Sequence, residues 1–363
     1  VAAGAVLKHS RDFNLCRESV LSSGLSPSTP AYDVQMACGT GLQAANIIAN
    51  KIAVGQIECG IAGGTDTTSD APIEVNDKLR KILLEINRAK TAGQRLAAIA
   101  KFRPSMLAPA TPSNGEPRTR KSMGQHCEDM AKEWKIARED QDQLAFESHQ
   151  KAARAYEGGF YDDLIVPFDG LTRDNNLRAD ISIEKLASLQ PAFDRKSGLG
   201  TLTAGNSTPL TDGASAVLLA SDDWAQARGL KVQAYVTHFE TFGVDFAGNK
   251  KEGLLMAPAY AVPRMLKRAG LTLQEFDFYE IHEAFAAQVL CTLKAWEDTR
   301  YCKDKLGLDK ALGSIDRNKM NIKGGSLAAG HPFAATGGRI LATLGKIIEQ
   351  NGGGRGLISV CAA

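Results

Sequence analysis

A strand, a tight turn, a helix and a second strand follow one another near the start of this chain, and a similar series returns at its end. Residues 34–37 read as strand, 42–54 as helix and 57–62 as strand. At the far end Thr336-Gly337-Gly338 opens a helix over 340–348, Gly352 to Gly354 break it, and 356–360 read as strand. Ile340, Leu344, Ile347 and Ile348 recur at helical spacing, so that helix has an apolar face to bury. Two such units, far apart, predict duplicated α/β halves built round mostly parallel sheets.

The segment between them, 74–201, is richer in charge and proline and reads as an inserted, mainly helical lobe. That leaves 1–73 with 202–222 as one half and 223–363 as the other. Helices are expected over 128–134 and 138–156, the second opening on Glu139-Asp140, an acidic first turn that suits a helix N-terminus. Residues 78–103 carry eight basic side chains and one acid, Glu85. Leu79, Ile82, Leu83 and Ile86 form a stripe, and Leu96 and Ile99 continue it beyond a break expected at Gly93. Such a basic amphipathic stretch suits an anionic membrane surface or a protein partner, and equally a solvated hairpin packed on its own lobe.

The net charge of +2 gives no general drive toward nucleic acid. Seven scattered cysteines without a C-x-x-C pair argue against a disulfide framework and against a zinc site, and favour a reducing compartment: cytoplasm, or the mitochondrion in a eukaryote. No apolar run is long enough to span a bilayer. The sequence opens at Val1 and closes just after a strand-like run, so both ends read as cuts through a fold. A chain so cut is expected to expose sheet edges and to fold poorly or lack activity by itself.

Cys38 stands at the first strand-to-helix turn, where the positive end of a helix favours thiolate over thiol. Gly39 and Gly41 are expected to let the backbone turn sharply and admit a substrate. The competing reading of Cys38 is a small buried hydrophobe. Three further pieces bear on the choice. His331 lies between Gly330 and Pro332 on a glycine-rich loop; His282-Glu283 interrupts an apolar context just after a strand over 276–281; and Cys361 ends the final strand.

With these pieces in place the chain resembles the thiolase family. The carrying segments are Met36-Ala37-Cys38-Gly39-Thr40-Gly41-Leu42-Gln43-Ala44, Gly63-Gly64, Thr203-Ala204-Gly205-Asn206-Ser207 and Leu210-Thr211-Asp212-Gly213-Ala214-Ser215-Ala216, followed by the His282 motif, Gly330-His331-Pro332 and Cys361-Ala362-Ala363. The His282 variant and the basic insert resemble fatty-acid-oxidation thiolases, especially the thiolase subunit of trifunctional complexes. The resemblance implies two α/β/α halves forming a five-layered core plus the loop domain, lacking a first strand and helices before Val1 and a strand after Ala363.

It also implies a reaction. Cys38, deprotonated with help from His331, would attack the 3-keto carbonyl of a 3-ketoacyl-CoA, and Cys361 would serve as general acid and base. His331, with a water fixed by His282, would hold the enolate oxygen; the backbone N–H groups of Cys38 and Ala363 would hold the other oxyanion. Met123, Phe193 and Thr208 would line the pantetheine channel. CoA and acyl-CoA are substrates, with no metal and no separate cofactor. The partners implied are a second copy, as dimer or dimer of dimers, and a hydratase/dehydrogenase subunit. Most members carry asparagine at the position of His282, so its role is the departure from pattern.

Alternatives stand beside this one. A biosynthetic acetoacetyl-CoA thiolase would run the same chemistry in reverse. A ketoacyl synthase could use Cys38, His282 and His331, though it has no need of Cys361. Gly39-Thr40-Gly41-Leu42-Gln43-Ala44, with Glu58 downstream, also fits a dinucleotide-binding turn, but leaves both thiols and His331 unexplained.

Overall fold

The computed structural model describes residues 1–111, 113–250 and 252–361. Among them, strands β1 (Ala2–Ala3), β2 (Tyr32–Asp33), β3 (Cys59–Asp66) and β4 (Gly213–Ala220) form one sheet in the order β2-β1-β3-β4. β1 is parallel to β2 and β3, as helix crossovers require. The longest ladder is antiparallel: β4 returns beside β3 after the inserted segment, with Cys59 opposite Ala220 and Asp66 opposite Gly213. β5 (Phe278–Ile281) and β6 (Gly356–Ser359) form a second, parallel pair.

Two expected boundaries move. Residues 34–37 are not strand, because the Thr40 hydroxyl takes the Met36 N–H at 2.9 Å and starts a helical turn at Ala37. Ile57 is not strand either: its N–H, like that of Gln56, bonds back to Lys51 O and finishes the helix Thr40–Ala53.

That helix and its counterpart Ala334–Gln350 cross at glycines. A Cβ on Gly41 would lie 2.7 Å from Gly338 N, and one on Gly337 would lie 2.4 Å from Leu42 N. Gly39 has φ −84° and Gly41 is helical, so neither serves the sharp turn expected of it. Gly41 is there because two backbones touch, which also removes the dinucleotide reading. The crossing brings the loop before each helix to the same place.

The largest apolar core surrounds helix Ala286–Glu297, whose residues face inward on nearly every side. Helices Met123–Glu133 and Arg138–Glu157 of the inserted segment pack on it. The basic stretch forms a hairpin, Asp77–Arg88 and Ala92–Ile99. Its break falls at 89–91 and not at Gly93, because Thr91 and Gln94 close a capping box there. Leu79, Ile82 and Ile86 turn inward, whereas Leu83, Leu84, Leu96 and Ile99 are exposed beside the basic side chains. No helix of the described residues is long and apolar enough to cross a membrane.

Candidate active site

Cys38 lies in the helical turn Ala37–Gly39, which runs directly into Thr40–Ala53. The residue before it, Ala37, takes a left-handed φ of 43°, a conformation that costs a non-glycine residue roughly 1 kcal/mol or more. The strain persists because the Thr40 hydroxyl, while accepting from Met36, donates to Ala37 O at 2.7 Å. Its effect is to hold the thiol against the opposite loop.

His331 comes from that loop. Gly330 has φ 94°, and a Cβ there would be 2.5 Å from the Thr211 methyl, so glycine is needed before the histidine. The His331 N–H donates to Pro209 O at 3.0 Å, which fixes the backbone. Its Nδ1 lies 2.6 Å from Thr336 Oγ1, and its Nε2 lies 3.0 Å from Cys38 Sγ. Residues 293 positions apart thus place a thiol and an imidazole at hydrogen-bond distance.

His282 follows β5, with its N–H on Ser359 O at 2.8 Å. Its ring centre is 4.3 Å from that of His331. Nδ1 meets Ser326 Oγ at 2.8 Å, and Nε2 is buried with no partner among the described residues. Cys361, two positions beyond β6, is 2% exposed and close enough to Cys38 for a charge on either to disfavour one on the other.

Electrostatics revise one expectation. Cys38 keeps partial exposure as a residue, but its sulfur is closely packed, and burial pushes the thiol up to about 12. The backbone N–H of Cys38 lowers it in part, and the Asp66 carboxylate adds to the rise. Burial, helped by the Arg339 guanidinium, pulls His331 down to about 3. Burial likewise holds His282 well below the usual range, and Cys361 is raised well above it. Burial thus favours the neutral forms of both the thiol and the imidazole.

Cys38 Sγ and one ring nitrogen of each histidine lie within 4.8 Å of one another. Among the described residues this is the one set of three side chains that a metal ion could gather. Sulfur and imidazole donors would suit a soft cation such as Zn²⁺.

The other expected residues make no hydrogen bond to Cys38, His282 or His331 among the described residues. Met123 begins helix Met123–Glu133 and packs on the main core. Phe193 stacks edge-on with Phe285, ring centres 5.7 Å apart, and a Cβ on Gly124 would strike it. The Thr208 hydroxyl donates to Ser326 O at 2.6 Å, so it ties two loops together. Ala363 lies outside the described residues.

The supporting roles of several residues escape a sequence reading, although Glu283 draws notice there beside His282. Glu283 is buried and accepts from Ser148 Oγ (2.8 Å), Asn321 Nδ2 (2.7 Å) and Leu327 N (3.1 Å), anchoring the His331 loop to the inserted segment. Thr336, Ser326 and Arg339 are likewise dispersed. Their only sequence signal is proximity to the glycine-rich loop.

The profile of the thiolase N-terminal domain matches residues 1–223, and that of the thiolase C-terminal domain matches 230–363. A 3-ketoacyl-CoA thiolase of Shewanella loihica is 44% identical over 356 residues, covering 96% of this chain and 80% of the relative. One from Pectobacterium atrosepticum is 43% identical over 368 residues, covering 99% and 82%. Among solved structures, the Bacillus anthracis acetyl-CoA acetyltransferase aligns over 100% of this chain and 83% of its own, with TM-score 0.78 and 29% identity. Human mitochondrial 3-ketoacyl-CoA thiolase in complex with CoA aligns over 99% and 82%, with TM-score 0.78 and 27% identity.

Proposed function

Because this chain belongs to the thiolase family, we propose that it cleaves 3-ketoacyl-CoA with free CoA, giving acetyl-CoA and an acyl-CoA two carbons shorter, as in fatty-acid oxidation. The observation that carries this reading is the Cys38–His331 contact of 3.0 Å with a second buried thiol, Cys361, beside it.

In the first half-reaction His331 Nε2 takes the Cys38 proton as sulfur attacks the 3-keto carbon. Collapse of the adduct breaks the bond between C2 and C3, leaving the acyl group on Cys38 and the acetyl-CoA enolate. Cys361 gives its proton to C2. In the second half its thiolate takes the proton of incoming CoA, whose sulfur displaces the acyl group, and Cys38 recovers its proton from His331. A thiol held neutral by burial suits the acid role, and a low-pKa imidazole is free to accept.

His331 and His282 are assigned to the enolate oxygen, His282 through a water. The Cys38 N–H, with that of Ala363, is assigned to the adduct oxyanion. Removing one such donor typically costs ~2.7–4 kcal/mol of transition-state stabilisation. Met123, Phe193 and Thr208 are proposed to border the pantetheine path. No step calls on a metal or a separate cofactor. The reading extends to a homodimer or dimer of dimers, and to a hydratase/dehydrogenase subunit or an anionic lipid surface at the exposed face of the basic hairpin.

A ketoacyl synthase would leave Cys361 without a task, because loss of carbon dioxide generates its carbanion. The test is turnover of 3-ketoacyl-CoA substrates of graded length with CoA. Equal loss of both substrates with matching acetyl-CoA supports the reading. Consumption of a malonyl thioester with carbon dioxide release, and no thiolysis, overturns it.

A further inference from the structure

The hydrogen bonds behind His282 fix more than its position. Ser326 has no solvent exposure and begins the short helix Ser326–Ala329. Its carbonyl accepts from Gly330 N at 2.8 Å and from Thr208 Oγ1 at 2.6 Å, so its backbone is held. Its hydroxyl meets two groups: Arg339 Nη2 at 2.7 Å and His282 Nδ1 at 2.8 Å.

A guanidinium can only donate, so one lone pair of Ser326 Oγ is taken by Arg339. The hydroxyl then has one proton to give, and among the described residues its other polar neighbour is His282 Nδ1. If Nδ1 carried a proton instead, two hydrogens would point at one oxygen and the Ser326 proton would have no acceptor. The satisfied arrangement runs from Arg339 N–H to Ser326 O, then from Ser326 O–H to His282 Nδ1. A neutral imidazole accepting at Nδ1 must carry its proton at Nε2. That nitrogen is the buried one without a partner among the described residues, on the ring whose centre lies 4.3 Å from that of His331.

We propose that Ser326 and Arg339 are positioning residues that lock His282 as its Nε2–H tautomer, so that it presents a donor to oxygen at the reacting centre. Arg339 acts twice here: it occupies the Ser326 acceptor site, and its charge opposes protonation of both His282 and His331. Without that opposition the imidazolium of His282 would compete for the charge that His331 must take up. The inference rests on the thiolase reading for its consequence in turnover, but the tautomer itself does not.

The test has two arms. In the unaltered enzyme, labelled with ¹⁵N-histidine, His282 is expected to show a protonated Nε2 and a bare Nδ1 across the neutral pH range. A protonated Nδ1, or an imidazolium at neutral pH, overturns the proposal whether or not the enzyme turns over. The second arm is a double-mutant cycle. Ser326→Ala is expected to lower kcat roughly 10-fold with little change in KM, short of the ~10²–10³ lost with an oxyanion donor itself. In a His282→Asn background the same change is expected to cost less than about twofold, because no tautomer remains to be set. Equal losses in the two backgrounds would mean that Ser326 acts only through the fold, and that also overturns the proposal. Should Ser326→Ala fail to fold, the ¹⁵N measurement on the unaltered enzyme decides the proposal by itself. Correct ¹⁵N signals without thiolysis would reject the reaction and leave the tautomer standing.

Discussion

The glycine crossing that joins the two halves makes a strong prediction from a very small change. Gly41→Ala adds one methyl carbon, and its position would be 2.7 Å from Gly338 N, 2.8 Å from Ala334 O and 3.3 Å from Gly337 C. All three neighbours are backbone, so no side chain can swing aside. Ordinary contact begins near 3.4 Å, so the helices must part by about 0.7 Å, the difference between 3.4 and 2.7. Overpacking of this kind typically costs ~1–3 kcal/mol. Gly41 is three residues from Cys38, and Ala334 is three from His331. Much of the displacement therefore falls on their 3.0 Å contact. A misplacement approaching 1 Å is worth up to ~10² in rate. Gly41→Ala is expected to reduce kcat at least roughly 10-fold, beyond what its loss of stability explains. Thermal unfolding gives the first quantity, and thiolysis well below the melting temperature gives the second. Unfolding and turnover both matching the parent would refute the packing argument.

Other expectations follow from the same geometry. Alkylation of Cys38 in the free enzyme should quicken about tenfold per pH unit between pH 6 and 8, because a thiol raised to about 12 is almost wholly protonated there; a rate already level by pH 7 would indicate a resting thiolate. Glu283→Ala leaves the Ser148, Asn321 and Leu327 donors without their acceptor and should cost about 3 kcal/mol or more in denaturant unfolding. A change within 0.5 kcal/mol, roughly the range of an ordinary surface substitution, would remove its anchoring role. Cys361→Ser should still form acyl-enzyme from acyl-CoA but exchange protons at the acetyl-CoA methyl far more slowly; unchanged exchange would take Cys361 out of the proton path. Dialysis against a chelator should leave turnover intact, and activity lost and then restored by Zn²⁺ would assign a working metal to Cys38, His282 and His331.

Cys38, His331 and Cys361 draw notice in the sequence because each stands beside a local signal: a strand-to-helix turn, a glycine–proline frame and a strand end. The paired helices were legible from their periodicity. What the sequence hid was long-range. Gly41 reads as a turn residue until the second helix is seen against it. The burial that raises the Cys38 thiol depends on everything packed around the sulfur, which the local turn does not reveal. The bond from the Thr208 hydroxyl to Ser326 O joins positions 118 residues apart. Ser326 and Arg339 carry no motif because their meaning lies in partners on other elements. The antiparallel β3–β4 ladder was missed for a related reason: its strands are separated by the whole inserted segment.

Mass spectrometry after rapid quench tests the central claim most directly. With a 3-ketoacyl-CoA and no free CoA, the enzyme should carry a single acyl group, two carbons shorter than the substrate, and fragmentation should map it to Cys38. No adduct, or an adduct on Cys361 or elsewhere with Cys38 unmodified, would contradict the account.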